Sequence, residues 1–403
     1  MDLTGGRCSH GKYIPQELLK EISKMGNRLL IGIPRERNEE ERRLPLTPEA
    51  VDMLTDCGHR VVVETNAGLG INYSDNHFSE AGAEIVSTPQ EVYQADLILK
   101  ILPPLPGEVA LMKPRSTLFS MVQLNSFAPE AFELMMSKRI NAIGYELLAD
   151  DQNKLPVLNI ISEIEGKASI SIAAEMLSNA RGGKGLLFGG ISGVPPTEVV
   201  IVGAGIAGTA AARAALGMGA MVKVFDEDIN KLRTIQQVLG QSLFTSNFQP
   251  NVLHNAFRSA DVVIGAMRYI NSRKRYVIAE EMISSMKKGA LIIDLRVNQG
   301  GCFETTCGLT PSDPSVFQQY GIFHYCKSNV SNYVARTTAM GFSNIFVPML
   351  FSIGDMGSVQ ALIKADMGFR AGIYMYAGKP VNRYVANHFN LSSADISIYL
   401  SAF

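Results

Sequence analysis

"TEVVIVGAGIAGTAAARAALGMGAMVKVFD", residues 197–226, decides the fold. It runs from an apolar strand through a glycine turn into an alanine-rich helix, then into a second apolar strand. Gly203, Gly205 and Gly208 form a G-x-G-x-x-G motif directly after the first strand and at the start of the helix. That context gives the motif its meaning. Gly203 permits the tight turn, Gly205 lets the backbone approach a pyrophosphate, and Gly208 allows close packing of helix on strand. The free N–H groups and dipole at the helix N-terminus would hold the phosphates. Asp226 closes the second strand, where an acid accepts hydrogen bonds from the adenosine ribose and repels a 2′-phosphate. The motif therefore predicts a dinucleotide site that favours NAD over NADP. The alternative is a similar domain whose glycines only pack.

Working outward, "DVVIGAM" (261–267), "ALIIDLRV" (290–297) and "GIFHYC" (321–326) read as further strands of the same sheet. Towards the N-terminus, "RLLIGIP" (28–34), "RVVVET" (60–65), "DLILKIL" (96–102), "STLFSMV" (116–122) and "INAIGYE" (140–146) are strand-like. They alternate with helical stretches at 47–58 and 128–139, and such alternation predicts a parallel α/β sheet. Residues 181–196 hold six glycines and two prolines, a linker or a loop that approaches something closely. Beyond about Arg336 the chain turns helical, at 344–354 and 358–369. The expected architecture is α/β, with two Rossmann-like domains whose parallel sheets flank a cleft and C-terminal helices that return to the first domain. Residues 1–156 with 336–403 make a substrate domain, and residues 157–335 an NAD-binding domain.

Bulk properties narrow the function class. A chain of 403 residues exceeds one ordinary core. A formal net charge of −1 gives no reason to expect nucleic acid or a membrane surface. No apolar run reaches a bilayer-spanning length. The N-terminal stretch lacks an apolar signal region and reads as a loose start before a short amphipathic helix. Five cysteines (Cys8, Cys57, Cys302, Cys307, Cys326) suit reduced thiols in a cytoplasm better than a disulfide framework. Their spacing suggests no metal site.

The motifs "GIPRERNEEERRLPLTPEAV", "GGKGLLFGGISGVPPTEVVIVGAG", "KVFDEDINKLR", "DVVIGAM", "DLRVNQGGCFETT" and "YCKSNV" together resemble NAD-dependent alanine dehydrogenase, from about Leu30 to the C-terminal helices. A more distant likeness is to the NAD-binding subunit of proton-translocating transhydrogenase. The resemblance implies oxidative deamination of L-alanine to pyruvate and ammonium, with NAD as cofactor, and a cytoplasmic homo-oligomer, usually a hexamer. It places Ser162, Met267 and Asn329 at positions that touch NAD. It also places Arg43 at the arginine that grips the substrate carboxylate.

Three other family positions depart. The substrate lysine falls on Leu102, the catalytic histidine on Gln123, and an aspartate at the cofactor edge on Asn298. Gln and Asn still exchange hydrogen bonds but take no proton near pH 7. Lys100, two positions before Leu102 and so on the same strand face, has two readings: a substitute whose head reaches towards the substrate, or a residue with a structural or rim role. Asp294 and Arg296 flank the site. His324 reads as a core residue, Lys327 as added positive charge near the ligand, and the basic stretch 268–277 as a solvated loop. Two other readings stay open: an NAD(H)-binding paralogue without turnover, serving as sensor or oligomer partner, and a transhydrogenase-like hydride carrier.

Overall fold

A computed structural model of the chain describes residues 27–267, 278–309 and 313–401. The amphipathic start before residue 27 and the basic stretch 268–277 lie outside the described residues. The chain divides into two compact units, one containing residues up to 158 and from 335 onward, the other residues 159–334.

The first unit opens with β1 (Leu30–Ile33), β2 (Arg60–Glu64), β3 (Glu84–Val86), β4 (Leu97–Leu99), β5 (Thr117–Ser120) and β6 (Asn141–Gly144). The second contains β7 (Glu198–Val202), β8 (Met221–Phe225), β9 (Phe244–Ser246), β10 (Val262–Gly265), β11 (Leu291–Asp294), β12 (Val316–Gln319) and β13 (Ile322–Tyr325). The chain then returns to the first unit and adds β14 (Ile373–Tyr376) and β15 (Lys379–Pro380).

Both sheets are doubly wound in the same sense. The first runs β3-β2-β1-β4-β5-β6, extended by β14 and β15, and the second runs β9-β8-β7-β10-β11-β13, edged by β12. Six strands of each are parallel, while β14, β15 and β12 pair antiparallel. Each strand order reverses once, between β1 and β4 in the first sheet and between β7 and β10 in the second. Ligands of such sheets bind outside the carboxyl ends of the strands at that reversal.

The second sheet is buried on both faces, which explains its unbroken apolar strands. Val199 and Ile201 of β7 enter one core cluster with Val224 and Ile264, while Val200 and Val202 enter another with Phe225 and Ile292. In the first unit the helix Ala335–Asp355 buries Ala339, Phe342, Phe346, Leu350 and Ile353. Among the described residues one helical span, Val330–Asp355, has the length and composition to cross a membrane, but half of it is buried in the fold, as in a core helix.

Several elements differ from expectation. The strands β3, β9 and β12 were not predicted, being three- or four-residue edge segments without a long apolar run. Nor were β14 and β15, which interrupt a tail expected to be helical. The single helix expected at 358–369 is two, Val359–Ala365 and Met367–Ala371. Asp366 separates them, its side chain accepting from Phe369 N at 2.9 Å to cap the second. The glycine-rich stretch 181–196 lies wholly within the second unit, so it is a loop and not a linker between units. A Cβ on Gly183 would stand 2.1 Å from Met176 O, and one on Gly189 2.0 Å from Met218 O.

Candidate functional site

The glycine turn after β7 is built as its sequence requires. Gly203 has φ +112, and a Cβ there would lie 2.7 Å from the carbonyl carbon of Ala266, at the end of β10. A Cβ on Gly208 would lie 1.8 Å from Gly203 O. Gly205 is different: it caps the helix Ile206–Gly217, and its Cβ would meet nothing within 4 Å. Space is therefore open directly before a helix N-terminus, as a pyrophosphate needs. Asp226 closes β8 with its carboxylate buried; Oδ2 accepts from Ala204 N at 2.7 Å and Oδ1 from Asp228 N at 2.9 Å. The carboxylate thus holds the turn, and each oxygen retains a second lone pair for a ribose hydroxyl. These residues fit a dinucleotide.

The helix Pro156–Leu177 packs on this turn, because Gly166 has no side chain: a Cβ there would sit 2.2 Å from Ala207 O. Ser162 is buried on the same helix, Met267 is buried just beyond β10, and half-buried Asn329 follows β13 at φ +56. All three lie at the carboxyl edge of the second sheet or beside its glycine turn.

Past β11 the chain turns through Val297–Gln299, and Asn298 is exposed there. Asp294 organises this turn. Its Oδ1 accepts from Arg296 N at 2.8 Å, and its Oδ2 accepts from Cys302 N at 2.7 Å and from the Thr306 hydroxyl. Burial raises the pKa of Asp294 despite these donors. Arg296 is buried too, with NH1 3.3 Å from Glu165 Oε2 and no acceptor for its Nε among the described residues.

The first unit presents its own carboxyl edge. Arg43, in the loop after β1, has a side chain 1% exposed, and its neighbour's carboxylate grips it: Nε reaches Glu41 Oε1 at 2.7 Å and NH2 reaches Oε2 at 2.5 Å. Half-buried Leu102 follows β4. Gln123 follows β5 at φ +34, ψ 62, its Nε2 donating to Met121 Sδ at 3.3 Å. A non-glycine residue at positive φ is uncommon, and such strain collects at ligand sites.

Lys100 needs a correction. Its head does not lie open to a substrate: it is 2% exposed, with Nζ 3.1 Å from Glu36 Oε2 and 3.2 Å from Glu108 Oε2. Burial pulls its pKa down, but Glu36 and Glu108 outweigh that and leave it raised, so the group is a fixed ammonium. For Glu36 burial is the leading influence and pushes its pKa up, against the pull of Lys100.

Two further carboxylates, which the sequence reading missed, shape the altered loops. Glu36 Oε1 accepts from Ile101 N at 2.6 Å and from Leu102 N at 3.4 Å. Glu146, just beyond β6, accepts with Oε1 from Val122 N at 2.7 Å and from Gln123 N at 3.3 Å. The signal was available: both acids stand just past the carboxyl end of a strand, as Asp226 does.

The remaining candidates settle simply. His324 is fully buried, within hydrogen-bonding distance of the Thr305 hydroxyl and Ile322 O, and stacked on Phe317. Burial lowers its pKa, which suits the core role expected of it. Lys327 is exposed. Among the described residues no group of three His, Cys, Asp or Glu side chains is placed to hold a metal.

A doubly wound sheet with this glycine turn, open space before its helix and an acid ending the next strand defines a dinucleotide-binding protein. Family models narrow the class: the alanine dehydrogenase/PNT N-terminal domain matches residues 32–165 and the C-terminal domain residues 169–383. The chain belongs to the alanine dehydrogenase/PNT family and is an alanine dehydrogenase-like oxidoreductase. It is 34% identical to the alanine dehydrogenase of Bacillus subtilis, over 86% of this chain and 90% of that one. It is 35% identical to the alanine dehydrogenase of Methanococcus maripaludis, over 90% and 97%. A solved L-alanine dehydrogenase superposes with a TM-score of 0.82 at 31% identity, over 89% of this chain and 99% of that one. A transhydrogenase from Sinorhizobium meliloti shares the fold, with a TM-score of 0.73 at 23% identity over 88% and 99%.

Proposed function

We propose that the chain is an NAD-dependent dehydrogenase of small amino acids, deaminating L-alanine to pyruvate and ammonium as a cytoplasmic homo-oligomer, a hexamer on the family's pattern. The observation that carries this reading is the cradle at Gly205, open before a helix N-terminus and backed by Asp226. Bound NAD supplies the acceptor for the hydride that leaves the substrate Cα. Asp226 accepts from the adenosine ribose, and its charge disfavours a 2′-phosphate. Ser162, Met267 and Asn329 line the cofactor. Arg43, held in orientation by Glu41, grips the substrate carboxylate. Gln123 and Asn298 orient the reacting carbonyl and the nicotinamide carboxamide by hydrogen bonds, and water carries the protons. Lys100 serves by fixing the strand end on which Leu102 stands.

One observation favours a second reading, an NAD(H) binder without turnover: positions 102, 123 and 298 carry no titratable group. Loss of general acid–base catalysis costs on the order of 10²–10⁴ in rate. The test follows NADH absorbance with NAD and a panel of L-amino acids at alkaline pH, for wild type and for the triple variant Leu102→Lys, Gln123→His, Asn298→Asp. Turnover by the wild type supports the dehydrogenase. Turnover by the triple variant alone, with NADH binding intact in the wild type, selects the non-catalytic binder. Absence of NADH binding by the wild type refutes both.

A further inference from the structure

Three cations suited to a substrate carboxylate are buried at the carboxyl edges of the two sheets, and two already face carboxylates. Glu41 takes the Nε–NH2 edge of Arg43, and the Lys100 ammonium lies between Glu36 and Glu108. Arg296 differs. It makes one long contact, NH1 to Glu165 Oε2 at 3.3 Å, and its Nε–H has no acceptor among the described residues. A guanidinium matches a carboxylate through two parallel N–H donors, and the edge of Arg296 that carries Nε–H is not taken by one among the described residues.

Its place in the sheet says what would use it. Leu295 N donates to Gly265 O at 3.0 Å, so Arg296 stands level with Ala266 and Met267 at the end of β10. That is two strands along from the glycine turn in the order β7-β10-β11, about 10 Å away at the usual strand spacing. Each half of a doubly wound sheet takes one mononucleotide. The half with Gly203 and Asp226 takes the adenosine, which leaves Arg296 on the nicotinamide half. Glu165 lies one helical turn past Ser162 and beside Gly166, whose close approach to Ala207 ties this helix to the glycine turn. The pair therefore stands at the carboxyl edge of the second sheet, on the half left to the nicotinamide.

We propose that Arg296 is a substrate-binding residue that takes the carboxylate of a 2-oxo or 2-amino acid lying over the nicotinamide, with Glu165 as the resident carboxylate holding the guanidinium in the substrate's absence. The assignment rests on the dehydrogenase reading above, and it supplies the cation that Leu102 does not.

The experiment measures pyruvate binding to the full-length protein saturated with NADH, by calorimetric titration, for wild type, Arg296→Met, Arg296→Lys and Glu165→Gln, with NADH affinity and melting temperature recorded for each. NADH affinity is expected to stay within about 2-fold throughout, since Arg296 is assigned to the acid and not to the cofactor. Pyruvate Kd is expected to rise roughly 10- to 100-fold in Arg296→Met, the scale of one or two charge-assisted hydrogen bonds. Arg296→Lys recovers part of this, because it keeps the charge without the fork. Glu165→Gln, lacking the competing carboxylate, binds pyruvate several-fold more tightly and gains more melting temperature from it than wild type does. A purely structural pair instead lowers the melting temperature of Arg296→Met and Glu165→Gln alike and leaves pyruvate affinity unmoved, which overturns the assignment. Should Arg296→Met not fold, unchanged or weaker pyruvate binding by Glu165→Gln overturns it equally. A wild type that binds NADH but no pyruvate removes the dehydrogenase reading and this assignment together. A wild type that binds both, matched by Arg296→Met, removes Arg296 alone.

Discussion

Replacing Gly205 with alanine should separate the two jobs of the glycine turn. The added methyl meets no protein atom within 4 Å, and the backbone there, at φ −75 and ψ −167, is open to any residue. On the stability side, a more restricted unfolded chain contributes about 0.4–1 kcal/mol in favour of the variant. Alanine is a poorer helix N-cap than glycine, by up to roughly 1 kcal/mol. The two nearly cancel, so the melting temperature should move by no more than a few degrees. On the binding side, the methyl stands where the pyrophosphate must touch the helix N-terminus. Losing one charge-assisted hydrogen bond costs about 1.5–3 kcal/mol, which at about 1.4 kcal/mol per decade is a 10- to 150-fold weaker Kd for NADH. Fluorescence titration with NADH and thermal melting of the same samples read both quantities. Gly208→Ala and Gly203→Ala are the contrasting variants: the first drives a Cβ to 1.8 Å from Gly203 O, and the second forces alanine to φ +112 against the backbone of Ala266. Both should lose structure as well as binding. Gly205→Ala binding NADH within about 3-fold of wild type, or melting as early as Gly208→Ala, would refute the assignment of that space to a phosphate.

Lys100→Met leaves Glu36 and Glu108 buried without their cation; breaking such a cluster costs about 3–5 kcal/mol, visible as a lower urea midpoint, and a wild-type midpoint would contradict the buried geometry. Acid should destabilise the fold through its buried imidazoles. Burial lowers the pKa of His59 and His324, so below their ordinary 6.5 the unfolded chain takes up protons that the folded chain refuses, and stability falls with pH. Urea midpoints at pH 7.5 and 5.5 measure this, and His324→Gln should show a smaller fall. Asp294 and Glu36 act with the opposite sign, because burial raises their pKa: their cost appears as pH rises past the ordinary carboxylate values of 3.8 and 4.5. Alkylation of the native protein should modify exposed Cys307 before the buried Cys302 and Cys326, whose thiols burial pushes up, Cys326 to about 12. Peptide mass mapping checks the order, and early labelling of Cys326 would overturn it.

The second sheet was legible because its strands are buried on both faces, which leaves Val/Ile runs such as 199–202, and because Gly203 and Gly208 occupy positions where a Cβ collides with backbone. The edge strands were not, since a segment such as Glu84–Val86 has one paired neighbour, carries little apolar signal and is held by its partner β2. In the site, residue types could be matched to positions, but partners could not be read. That Lys100 lies between two glutamates depends on Glu36 and Glu108 arriving from 64 residues before and 8 after it in the chain. Distances of that kind belong to the tertiary fold.

Glu36, Glu146 and Asp294 each accept two backbone N–H groups from one loop at the rim of a sheet, and Asp226 accepts one from each of two such loops. The shape of each loop is thus written largely in an acid that lies outside the substituted position. Leu102, Gln123 and Asn298 are tips on scaffolds that other residues hold, so exchanging a tip need not redraw the loop beneath it. Evolution could then retire or reinstate proton chemistry one side chain at a time, without unfolding the protein on the way. The same independence makes this rim a place to install new chemistry by design, provided the four acids are left alone.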